Sequence, residues 1–183
     1  TLPAYSNRAY RNLHSYIARQ TFVERYRDPD SGAVLVRIKD AVYSELAAKA
    51  LTISNEVVRS EVLRAIALLN VENVDVGLFQ LSRQFETTLK RYVEEGERLG
   101  AFSGQVPADK KLVNLIAFVS KERLVEDKPT LEYLRQSRNE RAHGAAPSPE
   151  QRQLMMNHVT SDAGKYIDYI KYFDGRTQEL LSK

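Results

Sequence analysis

Apolar residues recur every three or four positions along most of this chain, the spacing that places side chains on one face of an α-helix. After residue 75 the pattern continues through four windows, separated by short links that contain Gly or Pro. We therefore predict four amphipathic helices in this part, near residues 76–99, 108–123, 129–143 and 149–181. Asp75 is the predicted N-cap of the first helix, and Gly100 fits the position just beyond its last turn.

The N-terminal third follows the same spacing less clearly. A first helix is predicted from Ser6, a natural N-cap, towards Tyr26, where the Asp-Pro-Asp-Ser-Gly run at 28–32 breaks it. The stretch 33–38 is also compatible with a strand, but its apolar positions continue into a stripe with helical spacing. That stripe favours a helix and consists of Leu35, Ile38, Val42, Leu46 and Ala50. Ser54 is the predicted N-cap of the next helix.

Together these helices predict an all-α fold with almost no strand. Residues 70–75 read as a connector, so we place a soft boundary there. It separates an N-terminal helical region of unknown role, residues 1–72, from a helical bundle, residues 73–183. A chain of 183 residues is long enough for one domain with such an extension.

Composition and charge narrow the class of protein. Because the chain has no Cys and no apolar run near the roughly 18 residues of a membrane span, we expect a cytoplasmic protein without a membrane partner. It does not begin with Met, so we expect a fragment or a processed protein. The formal charge of +3 resides in residues 1–70, whereas residues 71–183 are balanced. The C-terminal part would therefore meet an anionic partner only through a local basic patch.

The helix predicted at 129–143 carries an unusual residue in its apolar stripe. The stripe runs through Leu131 and Leu134 to Arg138, where the spacing asks for another Leu. Burial of an unpaired guanidinium is costly in free energy, so the presence of Arg138 at an apolar position requires an explanation. The plainer interpretation is that its stem packs while its charged head reaches solvent.

Two further residues of this helix share a face next to Arg138. Asn139 and His143 are four positions apart, and His143 falls in the last turn, where the helix dipole favours imidazolium. A permanent cation, a proton-transfer group and an amide that orients them are suited to phosphodiester cleavage. His143 is equally compatible with a simple C-terminal cap.

Residues 138–144, Arg-Asn-Glu-Arg-Ala-His-Gly, resemble the Arg-Asn-x-x-x-His signature of HEPN domains. The preceding helix and the order of helices from about residue 75 are also similar to that family, whereas residues 1–70 show no resemblance. The resemblance implies an HEPN-like bundle that dimerises and brings two motifs to one cleft. It further implies a metal-independent endoribonuclease, a toxin or anti-phage effector, that cleaves RNA through the RNA's own 2′-hydroxyl and leaves a cyclic phosphate.

On this resemblance, Arg138 would stabilise the phosphate in the transition state, His143 would transfer a proton, and Asn139 would orient either of them. The predicted RNA contacts are the other cations of the same helix, Lys128, Arg135 and Arg141. No cofactor is expected, and no metal, because Cys is lacking and the three His are far apart in sequence. Expected partners are RNA, a second copy of the chain, and an antitoxin or activating domain outside it.

This chain departs from the family pattern at one position, and its sequence also fits two alternative functions. Some HEPN toxins carry a Tyr two residues after the His, which a partner enzyme modifies, but this chain has Ala145 there. A non-catalytic HEPN-like module for dimerisation or for nucleotide or RNA binding is the first alternative. The second is a nucleic-acid adaptor that uses basic N-terminal helices, although a solvated face explains the same residues: Arg8, Arg11, Arg19, Arg25 and Arg27.

Overall fold

The computed structural model describes residues 23–27, 34–38, 41–69 and 73–182. Within these ranges it contains one two-stranded hairpin and six helices. The helices are α1 (Ala41–Leu51), α2 (Glu56–Ala67), α3 (Val74–Arg98), α4 (Leu112–Lys121), α5 (Lys128–His143) and α6 (Pro149–Leu181). They form an all-α bundle, which confirms the predicted fold class, and the described residues beyond the hairpin contain no strand.

The hairpin corrects the prediction for the N-terminal third. Strand β1 (Val23–Arg27) pairs antiparallel with β2 (Val34–Ile38). The helix predicted towards residue 26 was therefore wrong at residues 23–26, and the helix predicted from residue 33 was wrong at residues 34–38. The physical reason is that β2 has β-branched residues at alternate positions, which suit extended backbone, and a turn-forming run precedes it in sequence. The rest of the first predicted helix lies outside the described residues.

The predicted helices after residue 75 are all present, and their ends show where local signals were misread. The N-cap of α3 is Asn73 rather than Asp75, and the N-cap of α2 is Asn55 rather than Ser54. The Asn55 side chain accepts hydrogen bonds from the backbone N–H groups of Val57 and Val58, two donors that have no partner within the helix. At the other end of α3, Gly100 has a φ of 62° and closes the helix as predicted.

The centre of the bundle lies between the two long helices. α3 and α6, about 37 and 50 Å long, pack along each other, with α1 and α2 on one side and α4 and α5 on the other. Fully buried rings interlock across this interface: the ring centroids of Phe85 and Tyr166 are 6.0 Å apart, and those of Tyr92 and Phe173 are 5.5 Å apart. This aromatic core fixes the surface against which α5 is placed.

Candidate functional site

Helix α5, which carries the motif, is anchored by its first half. Asp127 accepts a hydrogen bond from the Thr130 N–H and caps the helix, and Pro129 lies in its first turn, as predicted. Leu131 and Leu134 are completely buried. These anchors set the direction of the helix, so the motif residues of its second half lie where α5 passes α3 and α6.

Arg138 is paired with an acid from another helix. Its Nη2 donates to Oε2 of Glu86 on α3 at 2.8 Å, and the two side chains are 24% and 28% exposed. Its Nη1 makes a longer contact, 3.4 Å, with Oδ1 of Asn139. Among the described residues, Nε of Arg138 has no hydrogen-bond partner. The guanidinium that interrupts the apolar stripe is therefore neutralised by Glu86 and keeps N–H donors without a strong acceptor.

Arg141 points into the bundle. Its side chain is 12% exposed and lies 3.8 Å from the carboxylate of Asp162 on α6, which is 10% exposed. Nη1 of Arg141 also lies 3.5 Å from the hydroxyl of Tyr166, and that hydroxyl donates to the backbone carbonyl of Leu134 at 2.9 Å. Burial raises the pKa of Tyr166 to about 12, which keeps the hydroxyl neutral and able to donate. Arg141 thus ties the second half of α5 to α6.

Asp162 also contacts two further side chains besides Arg141. The Tyr133 hydroxyl donates to Asp162 Oδ1 at 2.8 Å, and Lys165 lies 3.9 Å from the same oxygen and over the Tyr133 ring. Burial first, and then the hydrogen bond to Asp162, raise the pKa of Tyr133. A largely buried carboxylate is stable only with such partners, so this cluster is a structural clamp between α5 and α6.

The other predicted RNA contacts lie apart from the motif. Arg135 donates to Glu132 one turn earlier on α5, at 2.7 Å. Lys128 is exposed in the first turn, thirteen residues before Arg141, which corresponds to about 20 Å along the helix axis. Lys128 and Arg141 are therefore at opposite ends of α5, one in solvent and one buried, and do not form a compact basic patch.

His143 is the last residue of α5, as predicted. Gly144 follows as the C-cap, and its N–H donates to the Glu140 carbonyl at 2.8 Å. The backbone of His143 is therefore set one and a half turns beyond Arg138, while its side chain lies outside the described part of the structure. The role of His143 in proton transfer stays a prediction.

An open cleft of about 610 Å³ lies beside the end of α5. Its floor and walls come from the first turns of α3, from the end of α5 with the link that follows, and from the first turns of α6. Motif residues Glu140 and Arg141 belong to its lining, together with Asp75, Val76, Phe79, Gly144, Ala145, Ala146, Pro147, Gln151, Leu154 and Met155. A molecule in this cleft would therefore touch the motif directly.

Sequence reasoning missed the partners of both motif arginines. Glu86 follows the core residue Phe85 and borders the apolar stripe of α3, and Asp162 precedes the buried Ala163 on α6. An acid at the edge of an apolar stripe needs a partner when packing buries it, so such positions are candidates for pairing with a cation from another helix. The sequence, however, does not tell which cation each acid meets.

Comparisons of the chain with family models, with curated proteins and with solved structures found no match. The resemblance to HEPN domains therefore rests on residues 138–144 and on the order of helices. Of the helices in the described ranges, none combines the length and apolar character needed to span a membrane.

Proposed function

We propose that this chain is a metal-independent endoribonuclease of the HEPN type, acting as a toxin or anti-phage effector. The observation that carries the proposal is the place of Arg138. It takes the place of a core Leu in the stripe of α5 and is held there by Glu86, while its Nη1 makes only a long contact with Asn139, one and a half turns before the helix end where His143 lies. A fixed guanidinium with spare donors is suited to phosphate oxygens.

In the proposed reaction the 2′-hydroxyl of RNA attacks the adjacent phosphorus and the bond to the 5′-oxygen breaks. The products are a 2′,3′-cyclic phosphate and a free 5′-hydroxyl. His143 transfers a proton during this exchange, and Arg138 stabilises the charge that develops on the phosphate. Asn139, whose Oδ1 lies 3.4 Å from Arg138, orients the guanidinium.

The proposal includes a homodimer in which two motifs face one cleft, as the resemblance implies. In solution we expect twice the chain mass of 20.9 kDa by light scattering at tens of micromolar. A strict monomer would contradict this part of the proposal unless a part of the protein outside this chain drives association. An antitoxin or activating domain outside this chain is the proposed regulator.

Incubation of the purified chain with end-labelled RNA in EDTA tests the activity. We expect cleavage, cyclic phosphate ends by mass spectrometry, and no cleavage of DNA, which lacks the 2′-hydroxyl. His143→Ala should lower the rate by at least about 10²-fold, the usual effect of losing acid–base help. Because a helix-end residue contributes little to the core, this variant should melt like the parent. Equal cleavage by parent and variant, or none by the parent dimer, would refute the nuclease.

A non-catalytic HEPN-like module is the second candidate function, and one observation favours it. Both motif arginines have structural partners, Glu86 and Asp162, so the motif would persist even without chemistry. Such a module would dimerise or bind RNA while cutting nothing. The same cleavage assay, combined with an RNA-binding measurement on the parent, separates the two functions.

A further inference from the structure

We propose that the cleft beside the motif binds one unpaired nucleobase of the substrate RNA and favours guanine. This inference rests on the proposed function and adds a base preference to it. The cleft volume of about 610 Å³ is within the range of small-molecule sites and exceeds what a single base requires.

The walls of the cleft suit a flat, weakly polar group. Val76 from α3 and Leu154 from α6 are 40% and 60% exposed, and both lie in the cleft lining. Phe79 and Met155 add half-buried apolar surface on the same two sides. Single-stranded RNA is recognised by splaying its bases onto surfaces of this kind, where they stack on apolar and aromatic side chains.

The charges of the cleft disfavour a phosphate and favour N–H donors. Among the described side chains that line the cleft, the acids are Asp75 and Glu140, and the cation is Arg141, which is already paired with Asp162. Because both carboxylates line the cleft, they can accept hydrogen bonds from a ligand that carries adjacent N–H donors.

Guanine matches this lining better than the other bases. It presents an imino N–H and an amino group side by side, so its edge can donate to carboxylate oxygens, whereas uracil offers a single N–H between two acceptors. Because Glu140 and Arg141 belong to the motif and Gly144 follows His143, the bound base would belong to a nucleotide next to the cleaved phosphate.

Binding of 2′-O-methyl oligouridine decamers, which cannot be cleaved, tests the inference by fluorescence anisotropy. The decamers carry guanosine, inosine, adenosine or uridine at the central position. We expect the guanosine probe to bind about tenfold more tightly than the uridine probe, with inosine between them because it lacks the amino group. Asp75→Asn should remove most of this preference. The same change in the exposed, distant Asp109 should leave it intact.

A second pair of variants tests the apolar wall. Leu154→Ser should weaken all four probes, whereas the same change at Leu181, exposed near the far end of α6, should not. Equal binding of the four probes, or an unchanged preference in Asp75→Asn, would overturn the inference. So would a Leu154→Ser variant that turns a dimer into a monomer with its binding unchanged, because the cleft would then be an interface between copies.

These outcomes are independent of the cleavage assay. A parent chain that prefers guanosine but cuts no RNA would refute the nuclease and keep the base site. A parent chain that cuts RNA in EDTA without any base preference would keep the nuclease and refute the base site.

Discussion

Arg138 on α5 donates to Glu86 on α3 at 2.8 Å, a contact that joins positions 52 residues apart. Both side chains are about three-quarters buried, so solvent screens the pair only in part. The contact explains how an arginine is accommodated in an apolar stripe. It also means that a structural and a chemical role of Arg138 must be separated by experiment.

A double-mutant cycle measures the structural role. Arg138→Ala and Glu86→Ala should each lower the free energy of unfolding by about 1–2 kcal/mol, because each leaves a largely buried charge without its partner. The coupling between them should be about 1 kcal/mol by urea denaturation. The more exposed pair Lys90–Glu94, whose side chains are both 49% exposed, is the control and should couple by less than about 0.5 kcal/mol. Additive losses at Arg138 and Glu86 would show that the contact contributes nothing to stability.

The variant Arg138→Lys separates the chemical role of Arg138 from its structural role. Lysine keeps a positive charge near Glu86, so stability should change little, but it lacks the planar fork that matches phosphate oxygens. Cleavage should therefore fall by roughly 10²-fold in Arg138→Lys, almost as far as in Arg138→Ala. A lysine variant that restores full cleavage would identify Arg138 as a structural residue only.

Replacement of Asp162 should lower the free energy of unfolding more than replacement of Glu86. Asp162→Ala leaves Arg141 unpaired at 12% exposure, and we expect a loss of about 3 kcal/mol in unfolding free energy. Asp162→Asn should lose less, because its carbonyl still accepts from Tyr133. Arg141→Ala should also be destabilised. If instead it unfolds like the parent and binds RNA more weakly, Arg141 contacts RNA as the sequence predicts.

The raised pKa of Tyr166 predicts a loss of stability in alkali. The unfolded chain releases this proton near pH 10, whereas the folded chain retains it until about pH 12. Its contribution is therefore complete below pH 10 and is lost as the pH rises towards 12, up to about 2–3 kcal/mol. Urea denaturation at pH 9, 10 and 11 should show this decline, and Tyr166→Phe should make it shallower. An equally steep decline in the variant would contradict the assignment.

Substitution by alanine should have opposite effects on stability at two glycines that lie within helices. A Cβ at Gly96 on α3 would overlap the Phe102 ring, which packs edge-on against Tyr92 and Phe118. Gly96→Ala should therefore lower the melting temperature despite the better helix propensity of alanine. Gly175 on α6 has open space at the same position, so Gly175→Ala should stabilise by up to about 1 kcal/mol. Similar shifts in the two variants would show that Phe102 moves aside freely.

The predictions from sequence were most accurate where neighbouring residues decide the structure. Helix α6 begins as predicted because Ser148 and Gln151 form a capping box within four positions. The same holds for α5, which Asp127 caps and Gly144 ends. The error at residues 34–38 arose where helical and alternating spacing fit the same short apolar run, and pairing with β1 decided between them.

By itself, the sequence determined the helical class, the ends of α5 and α6, and the presence of a cation at a core position of α5, because periodicity and capping act over a few residues. Only the tertiary structure decided that Glu86 neutralises Arg138 and that Asp162 and Tyr166 hold Arg141 inside the bundle. It alone showed the cleft beside the motif. The physical reason is that an ion pair or a cleft depends on which helices pack together, and local spacing carries no information about partners tens of residues away.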